Sequence, residues 1–238
     1  MDSDAPPRPA DPRLIVPLDL PTRADAEAMV ERIGDAACFY KIGLQLLATD
    51  GMALARDLKR RGRSIFLDWK LHDIGATVEK ATAAIAATDA CDFLTVHAEP
   101  QVMRAAVRGR SGAKRVKILG VTVLTSLTEA DLADLGYGLS VRDLVERRIR
   151  QALDAGADGV VASPHEAALA RAIGGPGFLV VTPGVRPAWA KVDDQARAST
   201  PAEALAAGAS HLVCGRPITA ANDPRDAART VAAEMAGA

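Results

Sequence analysis

The chain has 238 residues, a formal net charge of −1, and an ordinary balance of 49% hydrophobic and 25% charged residues. This length suits one large α/β barrel or two small domains, and it is ample for a buried core. The near-zero charge, the lack of a basic run and an aromatic content of 3% argue against a nucleic acid polymer as partner. No apolar run approaches the roughly 18 residues of a membrane span.

The N-terminus and the cysteines indicate a cytoplasmic protein. Residues 1–12 contain four prolines but neither the basic flank nor the apolar segment of a signal peptide. We therefore predict a flexible leader over 1–12 and a single domain over 13–238. Cys38, Cys91 and Cys214 are widely spaced and lie in or beside apolar runs, which favours reduced, buried thiols over disulfides or a zinc site.

From Leu14 onward, short apolar segments alternate with longer Ala-rich segments of helical spacing. Strands are predicted at Leu14–Asp19, Cys38–Ile42, Ser64–Lys70, Phe93–His97, Val116–Val121, Gly159–Ala162, Phe178–Thr182 and His211–Cys214. Helices are predicted at Arg23–Ile33, Leu44–Arg60, Gly75–Thr88, Pro100–Val107, Val141–Ala155, Pro164–Ile173, Pro201–Ala207 and from Pro224 to the end.

This alternation implies parallel strands joined by right-handed crossovers. Eight βα units in about 225 residues predict an α/β fold of the (β/α)8 TIM barrel type. An open doubly wound sheet is the alternative fold, but no G-x-G-x-x-G follows the first strand.

The third predicted strand carries the most informative motif. Its apolar start, Ser64–Leu67, is followed by Asp68, Lys70 and Asp73 in the pattern D-x-K-x-x-D. Because side chains alternate along a strand, Asp68 and Lys70 are predicted to share one face and Trp69 to occupy the other. An isolated D-x-K is often only a structural ion pair. Here the charges follow a strand of a βα unit, where barrels place their active sites.

Polar residues also follow other strands, as expected of a barrel active site. Asp19 ends the first strand, and Lys41 interrupts the apolar second one. Thr125 and Ser126 follow the fifth strand with hydroxyls suited to the polar edge of a ring. His97, at the end of the fourth, fits a hydrogen-bonded core histidine equally well, so we leave it out of the predicted catalytic set.

The last two units indicate a phosphate site. The long segment between Thr182 and Pro201 predicts a lid over a ligand. The eighth strand ends in Gly215 and Arg216, and in barrels the loops after strands seven and eight commonly bind phosphate through backbone amides and a helix N-terminus. The Arg216 guanidinium adds a group able to bind two phosphate oxygens. Residues 127–140 are predicted as a polar loop at the barrel mouth or in a subunit contact.

Taken together, these segments resemble the orotidine 5′-phosphate decarboxylase family. The third-strand motif F-L-D-W-K-L-H-D-I-G-A-T is accompanied, in the family's order, by L-D-L, F-Y-K-I-G, T-V-H-A, T-V-L-T-S, P-G-V-R-P with D-D-Q, and G-R-P-I-T. The resemblance covers nearly the whole chain. Gly75 and Ala76 replace a proline-asparagine pair that is common in the family, and this difference spares every charged position.

The resemblance implies decarboxylation of orotidine 5′-phosphate (OMP) to UMP in pyrimidine biosynthesis, without cofactor or metal, by a homodimer with shared active sites. It implies a catalytic array of Lys41, Asp68, Lys70 and Asp73, with Asp73 and Thr77 reaching into the neighbouring subunit's site. The substrate contacts that it implies are Asp19 and Lys41 to the ribose, Ser126 to the pyrimidine, and Gln195, Gly215 and Arg216 to the phosphate, with Arg186 near it.

Three other interpretations stay open. A barrel aldolase would use Lys41 or Lys70 as a Schiff-base nucleophile on a sugar phosphate, and borohydride would trap the adduct. A relative with the same D-x-K-x-x-D motif would use Mg²⁺ on a keto-sugar phosphate and would be sensitive to chelators. An inert barrel would bind a nucleotide or a phosphate, or serve as a scaffold, although a degenerate site would be expected to lose one of its charges.

Overall fold

A computed structural model describes residues 9–110, 112, 115–190 and 199–237. Its strands form a closed parallel barrel in chain order, which confirms the predicted (β/α)8 fold. They are β1 (Leu14–Pro17), β2 (Phe39–Ile42), β3 (Ser64–Leu71), β4 (Phe93–His97), β5 (Lys117–Val121), β6 (Gly159–Val161), β7 (Leu179–Pro183) and β8 (His211–Val213). Each predicted strand is present, with its ends shifted by at most two residues.

Helices surround the barrel and connect the strands. They are α1 (Arg23–Ile33), α2 (Leu44–Leu47), α3 (Gly51–Arg60), α4 (Gly75–Ala86), α5 (Pro100–Gly109), α6 (Glu129–Asp134), α7 (Val141–Asp154), α8 (Ala167–Gly174), α9 (Pro201–Ala206), α10 (Arg216–Thr219) and α11 (Pro224–Ala236). Short 3-10 turns lie at Gly34–Ala36 and Pro164–Glu166. The leader predicted over 1–12 is described only from Pro9 and stays a prediction.

Two helix predictions were wrong. The single helix predicted over Leu44–Arg60 is broken into α2 and α3, because the chain turns so tightly at Gly51 that a Cβ there would lie 2.7 Å from the Leu46 carbonyl oxygen. The polar loop predicted over 127–140 contains α6, which begins at a capping box between Thr128 and Asp131. The short helix α10 was not predicted.

The core has two parts that follow from strand alternation. Side chains that face the barrel interior form one apolar cluster: Ile15, Phe39, Phe66, Phe93, Leu119, Val181 and Val213. Alternate side chains on the same strands, such as Leu14 and Val16, belong to the larger cluster that includes the helices. Phe93 packs edge-on against Phe39 and Phe66, with ring centroids 5.0 Å and 6.0 Å apart. These aromatic rings fill the barrel below the mouth.

The three cysteines are free thiols, as predicted. Cys91 and Cys214 are buried, and burial raises the pKa of each to about 12. Cys38 is only partly buried, contrary to the expectation of three buried thiols. Within the described ranges, no helix combines the length and the apolar character that crossing a membrane requires.

Candidate active site

Strand alternation places two of the predicted charges above the aromatic layer. Lys41 and Asp68 each lie two residues after an inward-facing phenylalanine, Phe39 in β2 and Phe66 in β3. Residues two apart on a strand share a face, so both charged side chains point to the barrel interior, one layer closer to the mouth. β2 and β3 are neighbours in the barrel, and this brings an amine and an acid together.

Four charged groups form a continuous chain of ion pairs at the carboxyl ends of β1 to β3. The Lys41 Nζ lies 2.9 Å from Asp19 Oδ1 and 3.5 Å from Asp68 Oδ2. The Lys70 Nζ lies 2.9 Å from the other oxygen of that carboxylate, Asp68 Oδ1. We call Asp19, Lys41, Asp68 and Lys70 the charged array. The structure therefore brings together three of the four predicted catalytic residues and both predicted ribose ligands, because Lys41 belongs to both sets.

The array is buried at its centre, where Lys41 meets Asp68, and exposed at Asp19, and its charges balance. Lys41 is only 8% exposed, and two ammonium groups oppose two carboxylates, which reduces the cost of burying them. Burial by itself raises the pKa of Asp68. The charges of Lys41 and Lys70, with hydrogen bonds from Lys70 and Thr95, outweigh burial and hold the pKa of Asp68 below its ordinary value. Asp68 is therefore ionised at neutral pH.

Gly43 makes room for this arrangement. A Cβ at Gly43 would lie 2.8 Å from Asp19 Oδ1 and 3.0 Å from Lys41 Nζ. The absence of a side chain lets the backbone after β2 pass directly beneath the ion pair. The glycine of the F-Y-K-I-G segment was predicted only as a strand end, and its role in spacing the array needed three-dimensional information.

β3 is irregular where it carries the array. Lys70 has a φ of 49°, in the left-handed region that non-glycine residues seldom adopt. The pairing of β3 with β4 shifts register between Leu67 and Leu71. Trp69 is buried in the helix-facing core, so the prediction that it lies opposite Asp68 and Lys70 is confirmed.

The remaining two residues of the predicted shared site lie apart from the array. Asp73 and Thr77 are exposed, just before and within the first turn of α4. The Asp73 carboxylate accepts a hydrogen bond from the Ile74 amide at 2.6 Å, and it has no ion pair among the described residues. Ile74 is 72% exposed. This edge of the barrel thus combines a carboxylate, a hydroxyl and an apolar side chain.

Thr125 and Ser126 line a cavity of about 720 Å³ after β5. Its other walls come from residues 163–166 after β6 and from Pro183 and Gly184 at the end of β7. The cavity therefore opens at the carboxyl ends of the strands, the end of the barrel that also holds the array. This is the position predicted for hydroxyls that recognise a ring edge.

The predicted phosphate residues that the structure describes follow the last two strands. Gly215 and Arg216 come directly after β8, and Arg186 follows β7, which pairs with β8. The Arg186 amide donates to the Ser199 carbonyl at 2.9 Å. Neither guanidinium has an ion pair within the described part of the chain. Gln195, and with it much of the predicted lid, falls in residues 191–198, outside the described residues.

His97 lies in a separate cluster beside the array. Its ring centroid is 4.9 Å from that of His72. The Glu99 carboxylate lies 3.7 Å from His72 Nε2 and 3.4 Å from the Arg148 guanidinium. Burial lowers the pKa of His97, although Glu99 opposes this. The contacts of His97 are therefore with this cluster and not with the ion pairs of the charged array.

A second cavity, of about 580 Å³, lies at the opposite end of the barrel, between Pro9–Arg13 and α11. Its lining is mainly alanine and proline, and its charges are already paired: Arg13 with Asp11 at 2.7 Å, and Arg229 with Asp35 at 3.1 Å. The charged array and the hydroxyls therefore identify the carboxyl end of the barrel as the candidate site.

Comparison with known proteins gives one consistent result. The family model described as "Orotidine 5'-phosphate decarboxylase / HUMPS family" matches residues 12–231. An orotidine 5′-phosphate decarboxylase of Caulobacter vibrioides (strain NA1000 / CB15N) is 71% identical over 232 residues, which are 96% of this chain and 99% of that protein. The corresponding protein of Rhodopseudomonas palustris (strain BisA53) is 57% identical, over 95% of each chain.

Solved structures agree with the sequence comparison. The crystal structure of orotidine 5′-phosphate decarboxylase from Lactobacillus acidophilus superimposes with a TM-score of 0.84 at 35% identity, covering 94% of this chain and 99% of that one. An uncharacterized conserved protein from Geobacillus kaustophilus gives a TM-score of 0.80 at 33% identity, covering 93% of this chain and 99% of that one. The chain belongs to the orotidine 5′-phosphate decarboxylase / HUMPS family.

Proposed function

We propose that this chain is an orotidine 5′-phosphate decarboxylase, a carboxy-lyase that converts OMP to UMP and CO2 in de novo pyrimidine biosynthesis. The observation that carries the proposal is the chain of ion pairs from Asp19 through Lys41 and Asp68 to Lys70. A relative that is 71% identical over 99% of its own length carries this name, and this supports the same activity here.

The chemistry requires stabilisation of a carbanion. Loss of CO2 breaks the bond between C6 and the carboxylate carbon and leaves the electron pair on C6, where no adjacent π-system accepts it. Ammonium groups beside C6 stabilise this developing negative charge electrostatically. Lys70 then donates a proton from Nζ to C6, which forms the C6–H bond of UMP, and the neutral amine recovers a proton from solvent. The reaction in this form uses no cofactor or metal.

Asp68 keeps this proton donor in place. Its carboxylate bridges Lys41 and Lys70, and its lowered pKa keeps it charged throughout the neutral range. In this role Asp68 lies beside the departing carboxylate of the substrate. Asp73, from the neighbouring subunit, completes the four-residue catalytic set, and its exposed position in a single chain supports that role.

The other predicted residues bind the parts of the substrate that do not react. Asp19 and Lys41 hold the ribose, and the hydroxyls of Thr125 and Ser126 recognise the pyrimidine edge. The phosphate is held by the Gly215 amide, the Arg216 guanidinium and Gln195, with Arg186 nearby. Binding energy gained at the phosphate, far from C6, positions the ring over the charged array.

The active form in this proposal is a homodimer in the cytosol. Asp73 and Thr77 are exposed in the single chain, next to the exposed Ile74, as residues that complete a partner's site would be. Three free cysteines support a reducing compartment.

The decisive test follows the ultraviolet spectrum of OMP with purified protein after exhaustive EDTA treatment. We expect conversion to the UMP spectrum at an unchanged rate and no adduct on borohydride treatment. Loss of the rate after EDTA, with recovery on adding Mg²⁺, would favour the metal-dependent relative, and a trapped adduct would favour an aldolase. A folded dimer that binds UMP without turning over OMP would contradict the proposed chemistry.

A further inference from the structure

The charged array is built on a break in the barrel's hydrogen-bond ladder. β3 and β4 are in register up to Leu67, and pairing resumes at Leu71. Over the same interval β4 advances only past Thr95, so the three residues 68–70 oppose a single residue. Such a bulge redirects side chains, and bulges are over-represented next to active sites. Here the bulged residues include both Asp68 and Lys70.

The Thr95 hydroxyl occupies the gap that the bulge leaves. Thr95 is fully buried. Its Oγ1 accepts a hydrogen bond from the backbone amide of Lys70 at 3.0 Å and donates one to Asp68 Oδ1 at 3.0 Å. A hydroxyl has one hydrogen and two lone pairs, so it makes both bonds at once. For the Lys70 amide, the hydroxyl takes the place of the β4 carbonyl that a regular strand pair would supply. Its own hydrogen goes to the Asp68 carboxylate.

These two bonds hold a backbone conformation that is otherwise unfavourable. The left-handed φ of 49° at Lys70 is unfavourable for a residue that carries a side chain. An amide left without a partner in this buried place would add a further cost. Lys70 keeps this geometry because Thr95 pairs its amide while Asp68, tied to the same hydroxyl, pairs its ammonium group.

We propose that Thr95 is a positioning residue for decarboxylation. It does not touch the substrate; its hydroxyl fixes the Asp68 carboxylate and the Lys70 backbone at one point, and so sets where the Lys70 proton is delivered. The inference rests on the proposed function, since it assigns Lys70 the proton transfer to C6. Thr95 belongs to the T-V-H-A segment, but by itself it looks like an ordinary β-branched strand residue, so this role could not be predicted from the sequence.

The test compares Thr95→Val, which keeps the shape and removes the hydroxyl, with Thr95→Ser, which keeps the hydroxyl. We expect kcat for OMP to fall about 100-fold in the valine variant, because a displacement of about 1 Å from the reacting geometry has an effect of that size. KM and the affinity for UMP should change less than about threefold, since they do not depend on proton delivery. The serine variant should recover most of kcat.

A pH profile separates positioning from simple destabilisation. The Thr95 hydrogen bond contributes to the lowered pKa of Asp68, so its loss should raise that pKa and move the acid limb of kcat to higher pH. Thr82→Val is the matched control, because Thr82 is also fully buried but lies in α4, and its hydroxyl has no hydrogen-bond partner among the described residues. That variant should keep the wild-type kcat and profile.

The proposal is overturned if folded Thr95→Val protein keeps kcat within about threefold of wild type, or if the serine variant is impaired as much as the valine one. Should the valine variant fail to fold, Thr95→Ala with the same serine comparison decides the question. The wild-type assay keeps the two proposals apart. An inactive wild-type protein contradicts the proposed function, whereas an active wild type with an equally active valine variant contradicts only the role of Thr95.

Discussion

At the scale of single residues, the proposed chemistry depends on where the Lys70 ammonium group is held. Lys70 carries a charge on a left-handed backbone, paired at 2.9 Å with a carboxylate that is itself shared with Lys41. Alternation along β3 predicted that Asp68 and Lys70 share a side of the strand, and their contact confirms it. The backbone that produces the contact is a bulge, and a lysine in a strand-like segment gives no local signal for a positive φ.

Lys70→Ala should lower kcat for OMP by about 10⁴-fold or more, because it removes both the proton donor and a charge beside C6. Binding of UMP should stay within a few-fold of wild type, since the product lacks the carboxylate that leaves. Single-turnover kinetics and a titration with UMP measure the two effects separately. Lys59→Ala is the control, because Lys59 is also ion-paired, with Asp92 at 2.8 Å, but outside the array. A Lys70→Ala enzyme with near-normal kcat would remove Lys70 from the mechanism.

At the scale of elements, the strands divide the barrel into an apolar base and a charged mouth. In both β2 and β3 a charged residue follows a phenylalanine by two positions, and the sequence predicts this arrangement as well as all eight strands. The break between α2 and α3 and the short helix α10 are not readable, because a tight backbone approach at Gly51 and a four-residue helix leave no periodic pattern. The gap opposite Thr95 depends on the pairing of two strands, so neither strand's sequence encodes it alone.

His211, the first residue of β8, makes the base of the barrel sensitive to acid. Its ring packs edge-on against Phe93 with centroids 5.0 Å apart, and burial lowers its pKa to about 4. At His211 the unfolded chain binds a proton near pH 6.5 and the folded protein does not. The contribution of this neutral histidine to stability is therefore fully present above about pH 6.5 and is lost as the pH falls toward 4.

Between pH 7 and pH 4.5 the free energy of unfolding should fall in both wild type and His211→Leu. We expect the fall to be about 2–3 kcal/mol smaller in the variant. Urea unfolding at both pH values measures the difference. His72→Leu, which removes an exposed histidine at the other end of the barrel, should retain the wild-type dependence. Parallel pH dependences for wild type and His211→Leu would show that His211 is not the acid-sensitive group.

At the scale of the whole molecule, one chain brings together three residues of the predicted catalytic set, Lys41, Asp68 and Lys70, and leaves the fourth, Asp73, apart from them. The sequence order of family segments and the barrel fold lead to the same family, and the array lies where the barrel predicts it. Asp73 and Thr77 are exposed and lie apart from the array, as the proposed shared site requires. Only the resemblance, and no spacing in the sequence, indicated that a second copy completes it.

Mixing two inactive variants tests this shared site. In a heterodimer of Lys70→Ala and Asp73→Asn chains, one site carries both substitutions and the other carries none. Free exchange of subunits at equal concentrations yields half heterodimers, so about a quarter of wild-type activity should return. Each variant alone gives the baseline, and a mixture of Lys70→Ala with Asp68→Asn, which alter the same side of the site, is the control that should stay inactive. Absence of recovery in exchanged dimers would place Asp73 in its own chain's site or outside catalysis.

The bulge in β3 also has an optical consequence. Trp69 lies between Asp68 and Lys70 in the chain but behind them in space, with an indole N–H that is buried and has no hydrogen-bond partner among the described residues. The chain's other tryptophan, Trp189, is 47% exposed. The two indoles therefore differ in solvent contact, and emission at the blue edge of the fluorescence spectrum reports mainly β3, the strand that carries Asp68 and Lys70.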